Sequence, residues 1–480
     1  MAKKDDKSIL TKLRERYKVA TEADRQNRIE SMADMRFVNV PGESWDPIVV
    51  KERGQDRPMY SFPKLRISCK RVINDMRSNR PQGKVRGFED GDKDTAETIE
   101  GLCRNVWNVS DGDSAIDSAA EYQVPAGIGA WRICTDYSDD TAFDQDICVE
   151  AIRNPYCLYA DPSSDDMLYR DSEYWILTQR ISKTSYERKY PDADIVNFED
   201  TEFDDDEDWN DEETVRICEY WYKEPKQITI GLLSDGKSVD LATVNPADLA
   251  QMGLQVLRQR VVNTYQIKSC ICSGDSVLEG PSDWAGSQFP FVLIHGEQMI
   301  IDGKRVWYGL VRHAKDAQRS YDFAHTAAIE SVALAPQSKV WATAKQAEGL
   351  GPAWAEAHKK NLPAMIYNAD PAAPGPPVRI GGADVPVALM NLLQLASEDI
   401  KAVTGIFDAS LGNRSNEQSG IAIRARQSQG EIATFNYMDN MAKAIRRTAE
   451  IVIDLIPKIY DTERAVRILG VDGAEKYVRV

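Results

Sequence analysis

Apolar positions recur with helical spacing over residues 8–36, where Leu10, Leu13, Tyr17 and Ala20 fall on one stripe of an otherwise polar helix. Trp45 to Pro58 reads as a loop. A second helix carries Leu65, Ile67, Val72, Ile73 and Met76 and is closed by Arg80-Pro81. Asp94–Val109 is a third, with Ile99, Leu102, Val106 and Trp107 inward. Ala115–Val124 follows, opened by Asp113 or Ser114 as N-cap. The period then shortens from 3.6 to 2. Ala130–Tyr137, Ile147–Arg153, Tyr156–Tyr159 and Tyr174–Gln179 alternate as strands do. The pattern predicts an α+β body.

Past residue 213 the strand signal dominates. Thr214–Tyr222, Gln227–Leu233, Val261–Cys272, Phe289–Ile294 and Gln298–Ile301 read as strands, with a helix at Pro246–Arg258 carrying Leu249, Met252 and Leu257. This stretch predicts a small, separate β-rich domain. Arg305–Leu334 carries the longest helical pattern, through Val306, Leu310, Ala314, Ala317, Tyr321, Ala324, Ala328 and Val332, and Pro336 ends it. At ~1.5 Å per residue it would reach about 45 Å. Asn368–Pro386, rich in Pro and Gly, is extended or looped. Val387–Val403 is a helix with Leu389, Leu392, Leu393, Leu395 and Ile400 apolar. A polar loop at 405–420 precedes a helix from about Gln418 to Tyr460, with a kink near Gly430 and an end around Pro457. Val466–Leu469 and Tyr477–Val480 are strands, and the sequence stopping on the latter suggests a protein that continues beyond Val480.

Length and charge narrow the classes. With 480 residues the chain has room for two to four domains. The start, MAKKDDKSIL, lacks the apolar stretch of a signal peptide, and no run approaches a membrane span, so a cytoplasmic site of synthesis is expected. Eight cysteines form no CxxC pair and only four histidines are present, so zinc spacing is absent and reduced thiols are expected; Cys270 and Cys272 should share one face of a strand. The net charge of −17 argues against a sequence-specific DNA reader. It permits a protein that encloses DNA without gripping it, since like charge repels the phosphates. Glu199–Glu213 holds eleven acidic residues in fifteen, and reads as a solvated loop at a boundary rather than a cation site.

One catalytic motif is matched in form. Residues 231–238, GLLSDGKS, fit the GxxxxGK[ST] loop of nucleotide-binding proteins. A working loop of that kind leaves a strand and enters a helix whose N-terminus holds the phosphates. Here Ser238 is followed by an alternating run that reaches Pro246 too soon, and Asp235-Gly236 is a two-residue hairpin turn, so the hairpin is the expectation. Gly127-Ile-Gly129 has Arg132 where a dinucleotide fingerprint needs its third glycine, and reads as a break between helix and strand. No nucleophile elbow is present, and DPSSDD at 161–166 reads as a turn. No catalytic, cofactor or metal residues are expected. The basic residues Lys304, Arg305, Arg312, Lys315 and Arg319 cluster at the start of the long helix, where Arg305, Arg312, Lys315 and Arg319 lie near one face. They form either a solvated or intersubunit face or a ladder toward DNA.

From Trp307 onward the sequence resembles the portal proteins of short-tailed phages. The resemblance rests on WYGLVRHAKDAQRSYDFAHTAAIESVALAPQSKVWATA (307–344), NADPAAPGPPVRI (368–380), EDIKAVTGIFDASLG, and the long segment beginning SGIAIRARQSQG. It extends back through GEQMIIDGKRVWYGLV and, less sharply, to YADPSSDDMLYRDSEYWI. It implies a portal fold with an α/β wing (1–212, with return segments in 336–404), a β-rich clip (213–304), a stem helix (305–335), a tunnel loop (405–420) and a long C-terminal helix leading to crown or wing strands (421–480). It implies a ring, usually of twelve copies, around a channel for double-stranded DNA at one capsid vertex of a virion assembled in the host cytoplasm. The implied partners are the terminase large subunit, capsid and scaffolding proteins and a tail adaptor. Asn413, Arg414 and Asn416 of the tunnel loop join the four basic residues as candidate DNA-facing positions. The competing readings are an ATP-driven DNA motor built on 231–238, and a ring with only an adaptor role.

Overall fold

The computed structural model describes residues 2–479 except 55–56, 82, 87–92, 140, 142, 194–212, 235, 237, 242–252, 334–339, 357–365, 374, 380–386, 407–433, 461–464 and 470–474. The chain divides into two compact units. The first comprises Met1–Met35, Cys69–Arg312 and Glu431–Val480; the second comprises Arg36–Ser68 and His313–Gly430.

The first unit is built on two antiparallel sheets. Helix α1 (Ala2–Asn39) supplies its N-terminal part. The larger sheet runs β3 (Leu158–Ala160), β4 (Tyr174–Ser182), β5 (Thr214–Leu233), β7 (Val256–Cys272), β8 (Val277–Asp283), with β6 (Ser238–Asp240) paired to the far end of β5. The stripe expected on α1 is the face that packs. Leu10, Leu13, Tyr17 and Ala20 are buried against Tyr174, Ile176, Cys218, Tyr220, Cys270 and Cys272. Cys270 and Cys272 do share a face, with their sulfurs 3.6 Å apart. The opposite face of the sheet, at Trp175 and Ile267, packs against Ile128, Phe291 and Leu293 of the second sheet, with Trp307 in the same cluster.

That second sheet has the order β2 (Gln145–Ala151), β1 (Ile128–Tyr137), β9 (Phe291–His295). Helices α4 (Lys93–Val109) and α5 (Gly112–Ala126) precede it, and the short helix α6 (Lys183–Lys189) follows β4. The N-cap of α5 is Asp111 rather than Asp113 or Ser114; its backbone is left-handed, and Asp113 instead accepts a hydrogen bond from the Trp107 indole at 2.9 Å. Gly127 is the expected break. It caps α5 at φ +89°, and a Cβ there would lie 2.3 Å from the Tyr308 carbonyl carbon. Helix α11 (Phe435–Ile459) buries Met441, Ala444, Ile451, Val452 and Leu455, and Thr448 on it accepts a 2.8 Å bond from the indole of Trp131. It runs past Pro457; the stretch expected to be helical before it lies outside the described residues. The two expected strands, β14 (Ala465–Leu469) and β15 (Glu475–Arg479), are present and pair with each other.

Three expectations for this region are corrected. The boundary at 212/213 cuts one sheet, because β4 pairs with β5 along its whole length, from Tyr174↔Tyr222 to Ser182↔Thr214. Residues 289–294 belong to the body, since β9 pairs with β1. Val256–Arg258 open a strand, not the end of a helix, and Leu257 is exposed; 242–252 lie outside the described residues. The part that stands apart is narrower than 213–304. It is the outer ribbon in which residues 223–233 of β5 pair with residues 256–267 of β7, most of them exposed or half-buried.

The second unit is helical. It contains the end of α1, the start of α3 (Lys64–Ser78), most of α7 (Val311–Ala333), and α10 (Val387–Thr404). It also holds α2 (Pro47–Arg53), which replaces the loop expected there: Asp46 accepts from the Ile48 backbone amide and Pro47 occupies the first turn. Short elements β12 (Val340–Trp341), α8 (Ala344–Ala347), α9 (Gly351–Glu356) and β13 (Val378–Arg379) complete it. On α10 Ala396 and Ile400 are buried, whereas Leu392 and Leu395 face outward with Val387, Met390 and Val403. Ile67 of α3 is likewise exposed.

Candidate functional site

The basic cluster expected on one long helix is split between three settings. The helix begins at Val311, and Lys304–Tyr308 form strand β11, paired with β10 (Glu297–Ile301). The turn between them is Asp302-Gly303, with φ +50° and +75°, the two-residue geometry that aspartate and glycine favour. Arg305 therefore lies on a strand. Its guanidinium donates to the Ser164 carbonyl and sits 4.5 Å above the Tyr169 ring.

Arg312, in the first turn of α7, turns to α1. Its Nε donates to Asp34 Oδ2 at 2.8 Å, and Nη1 pairs with Glu30. The Asp34 side chain is 0% exposed and that of Arg312 16%. A carboxylate so enclosed needs its cation, because an uncompensated buried charge is costly. Arg305 and Arg312 are thus answered inside the first unit, and a ladder of four aligned cations is not present.

In the second unit Lys315 and Arg319 lie 5.6 and 5.7 Å from the centre of the Phe37 ring. Arg319 also pairs with Asp316 at 3.3 Å and keeps 39% of its side chain exposed.

The same side of α7 carries residues whose role the apolar pattern did not reveal. Gln318, Asp322 and Thr326, four residues apart, are all buried. They hold the backbone of 60–65. Asp322 Oδ1 accepts from Phe62 N at 2.9 Å, Gln318 Nε2 donates to Phe62 O at 2.7 Å, and Thr326 Oγ1 accepts from Tyr60 N. Phe62 stacks on His325 with ring centres 3.9 Å apart. Burial raises the Asp322 carboxyl above its ordinary range, against the opposing pull of its hydrogen bonds. The signal was present as three polar residues recurring every four positions along an alanine-rich helix.

The nucleotide-loop match resolves as a hairpin. Gly231 and Leu232 pair with Val239 and Ser238, and the Gly236 amide donates to Leu233 O. Ser238 begins a strand, so no helix N-terminus follows that could receive phosphates. Elsewhere His295 is fully enclosed, shares a 3.0 Å hydrogen bond with Tyr169 Oη, and is held down to about 4 by burial, which makes it a neutral core residue. The acidic run through 212 and the tunnel-loop candidates Asn413, Arg414 and Asn416 lie outside the described residues. Among the described residues no helix is long and apolar enough to cross a membrane, and no group of three or more His, Cys, Asp or Glu is placed to hold a metal.

The chain belongs to the Phage P22-like portal protein family, whose family model matches residues 14–480. It is similar to the portal protein of Acyrthosiphon pisum secondary endosymbiont phage 1, at 26% identity over 470 residues that cover 92% of this chain. The chain spans 64% of that relative's length. The resemblance carried by 307–344 and its neighbours is thus shown, and with it a bacteriophage portal protein of a structural, virion-borne family.

Proposed function

We propose that copies of this chain close into a ring, twelve in number, that forms the DNA channel at one capsid vertex. The genome passes inward through it during packaging and outward at ejection. The observation that carries this reading is the family match along nearly the whole chain. Ring closure needs a repeated heterologous contact. The outward apolar positions of α10, Val387, Met390 and Leu395, offer surface for such a neighbour. Twelve copies at −17 give 12 × −17 = −204, against one DNA charge per ~1.7 Å of duplex, so the lumen repels the duplex and lets it slide.

Lys315 and Arg319, with Asn413, Arg414 and Asn416 of the tunnel loop, are the positions we assign toward DNA. Arg305 and Arg312 are reassigned to the fold. The outer β5–β7 ribbon is the proposed clip, where the terminase large subunit and later the tail adaptor dock. The wing meets capsid and scaffolding proteins, and assembly takes place in the host cytoplasm. Native mass measurement with class-averaged images tests the ring: twelvefold particles are expected, and a protein that stays monomeric at high concentration would overturn it. Lys237→Ala separates the motor reading, since a passive conduit shows no ATP turnover in either form. Deleting 405–420 separates an adaptor-only ring, which would still package DNA normally.

A further inference from the structure

The outer β5–β7 ribbon has two faces of different chemistry. Residues directly opposite one another in an antiparallel pair point to the same side. On one side the rungs from Pro225↔Tyr265 to Gly231↔Gln259 carry no charged side chain, and Val261 and Tyr265 there are 66% and 56% exposed. On the other side Arg258 and Arg260 of β7 lie across from Leu232 and Ile230, and Lys226 of β5 lies across from Thr264. All three cations are exposed, and among the described residues none of their side chains has a hydrogen-bond, ion-pair or ring partner. The acids on this side are already taken. Glu224 holds Lys268 at 2.6 Å, and Asp240, beyond Ile230 from Arg260, has a partner of its own. Arg258, Arg260 and Lys226 thus differ from Arg305 and Arg312, which the fold consumes.

Arg258 and Arg260 are two residues apart on one strand, so their Cα atoms stand about 6.6 Å apart. That is close to the separation of successive phosphates along one DNA strand. Thr264 lies four residues beyond Arg260, which places Lys226 about 13 Å further along, on the neighbouring strand. The three charges keep a phosphate-like repeat over about 20 Å of ribbon, with the half-buried Val262 at the vacant position. We propose that this face of the ribbon touches the DNA backbone, with Arg258, Arg260 and Lys226 on phosphates. The proposal rests on the channel reading above and adds a contact zone outside the helical unit. Phosphate contacts position a duplex without reading its sequence, as a channel for a whole genome requires. Three per copy, on a chain of net −17, attract the backbone locally while the bulk charge keeps it from being held. The uncharged face offers phosphates nothing.

The test uses the intact protein and a fluorescein-labelled thirty-base-pair duplex of mixed sequence, followed by anisotropy from low to moderate salt. Saturable binding that weakens with salt is expected. Arg258→Ser/Arg260→Ser should bind about tenfold more weakly at low salt, and its salt slope should shrink by about 2, since each lost phosphate contact removes about 0.9. Arg258→Lys/Arg260→Lys should bind as wild type does, because charge alone makes the contact. Lys12→Ser/Lys18→Ser removes the same charge from exposed positions of α1 and should also bind as wild type does. All three variants should melt with the wild type. Unchanged affinity in the serine ribbon variant, an equal loss in the α1 variant, or no binding by wild type would overturn the proposal. Tighter binding of a labelled oligoglutamate of matched charge, lost in the serine ribbon variant, would make the face a dock for an acidic protein and the DNA assignment wrong. Native mass measurement on the same samples separates this contact from the ring reading. Rings that bind duplex equally with and without the ribbon cations sink the contact alone; a monomer whose duplex binding still needs Arg258 and Arg260 sinks the ring alone.

Discussion

Replacing Arg312 asks whether its charge serves the fold or the DNA. Arg312→Ala leaves Asp34, whose side chain is 0% exposed, without the guanidinium that neutralises it. Removing one member of a buried pair costs about 3–5 kcal/mol. The Glu30 arm adds little, since that side chain is 40% exposed and exposed pairs contribute about 0–1 kcal/mol. Water reaches 16% of the Arg312 side chain, so the lower end applies, about 3 kcal/mol or roughly a 150-fold loss in the folding equilibrium. The second arm is the double change Arg312→Met/Asp34→Asn. It removes both charges while keeping volume, and should fall within about 1.5 kcal/mol of wild type. Urea unfolding followed by tryptophan fluorescence reads both. A cost below about 1 kcal/mol for Arg312→Ala, or a double variant as weak as the single, would refute the internal clamp and return Arg312 to the DNA-facing set.

Asp322 should show the reverse sign of pH dependence from a salt-bridged carboxylate. Its folded value is raised above 3.8 by burial, so stability falls as pH climbs from 3.8 through the raised value and stays lower beyond it. Asp322→Asn should flatten that step and still accept the Phe62 amide, whereas Asp322→Ala orphans the amide at about 1–3 kcal/mol; melting curves between pH 3 and 8 check both. Gly127→Ala should fail to fold stably or lose several kcal/mol, because the new methyl meets the Tyr308 backbone at positive φ; near-wild-type melting would contradict the contact. Thr448→Val should cost about 1–3 kcal/mol by stranding the indole N–H of the fully buried Trp131, measured in the same urea assay. Cys69 and Cys103 are pushed up to about 12 and about 11, chiefly by burial, so a disulfide reagent at pH 8 should label them slowly until urea is added.

Much of the secondary structure was legible because one face decides it. The α1 stripe from Leu10 to Ala20 reflects burial against a single sheet, while β1 and β4, buried on both faces where they begin, were read from their shorter period. Misreadings arose where two periods fit the same residues. Val306, Trp307 and Tyr308 suit the first turn of a helix as well as a strand end, and the deciding signal was the Asp302-Gly303 turn just before them. Asp46-Pro47 announced α2 in the same local way. Pairings across long separations had no local signature. Nothing near Phe291 announces Arg132, and nothing near Arg312 announces Asp34, 278 residues away. The candidate site suffered most for this reason, since whether a cation is spent or available depends on a distant carboxylate.

Strand β5 runs for 20 residues without interruption, its inner half buried in the body and its outer half in the exposed ribbon. At ~3.3 Å per residue this is a rod of about 65 Å at most. Beside it β7 stays in register from Cys218↔Cys272 to Leu232↔Arg258. A pull on the ribbon tip along the strand axis would load those rungs together in shear instead of peeling them singly. Tension at the tip would then arrive beneath α1, at Cys218 and Tyr220, without a joint to absorb it.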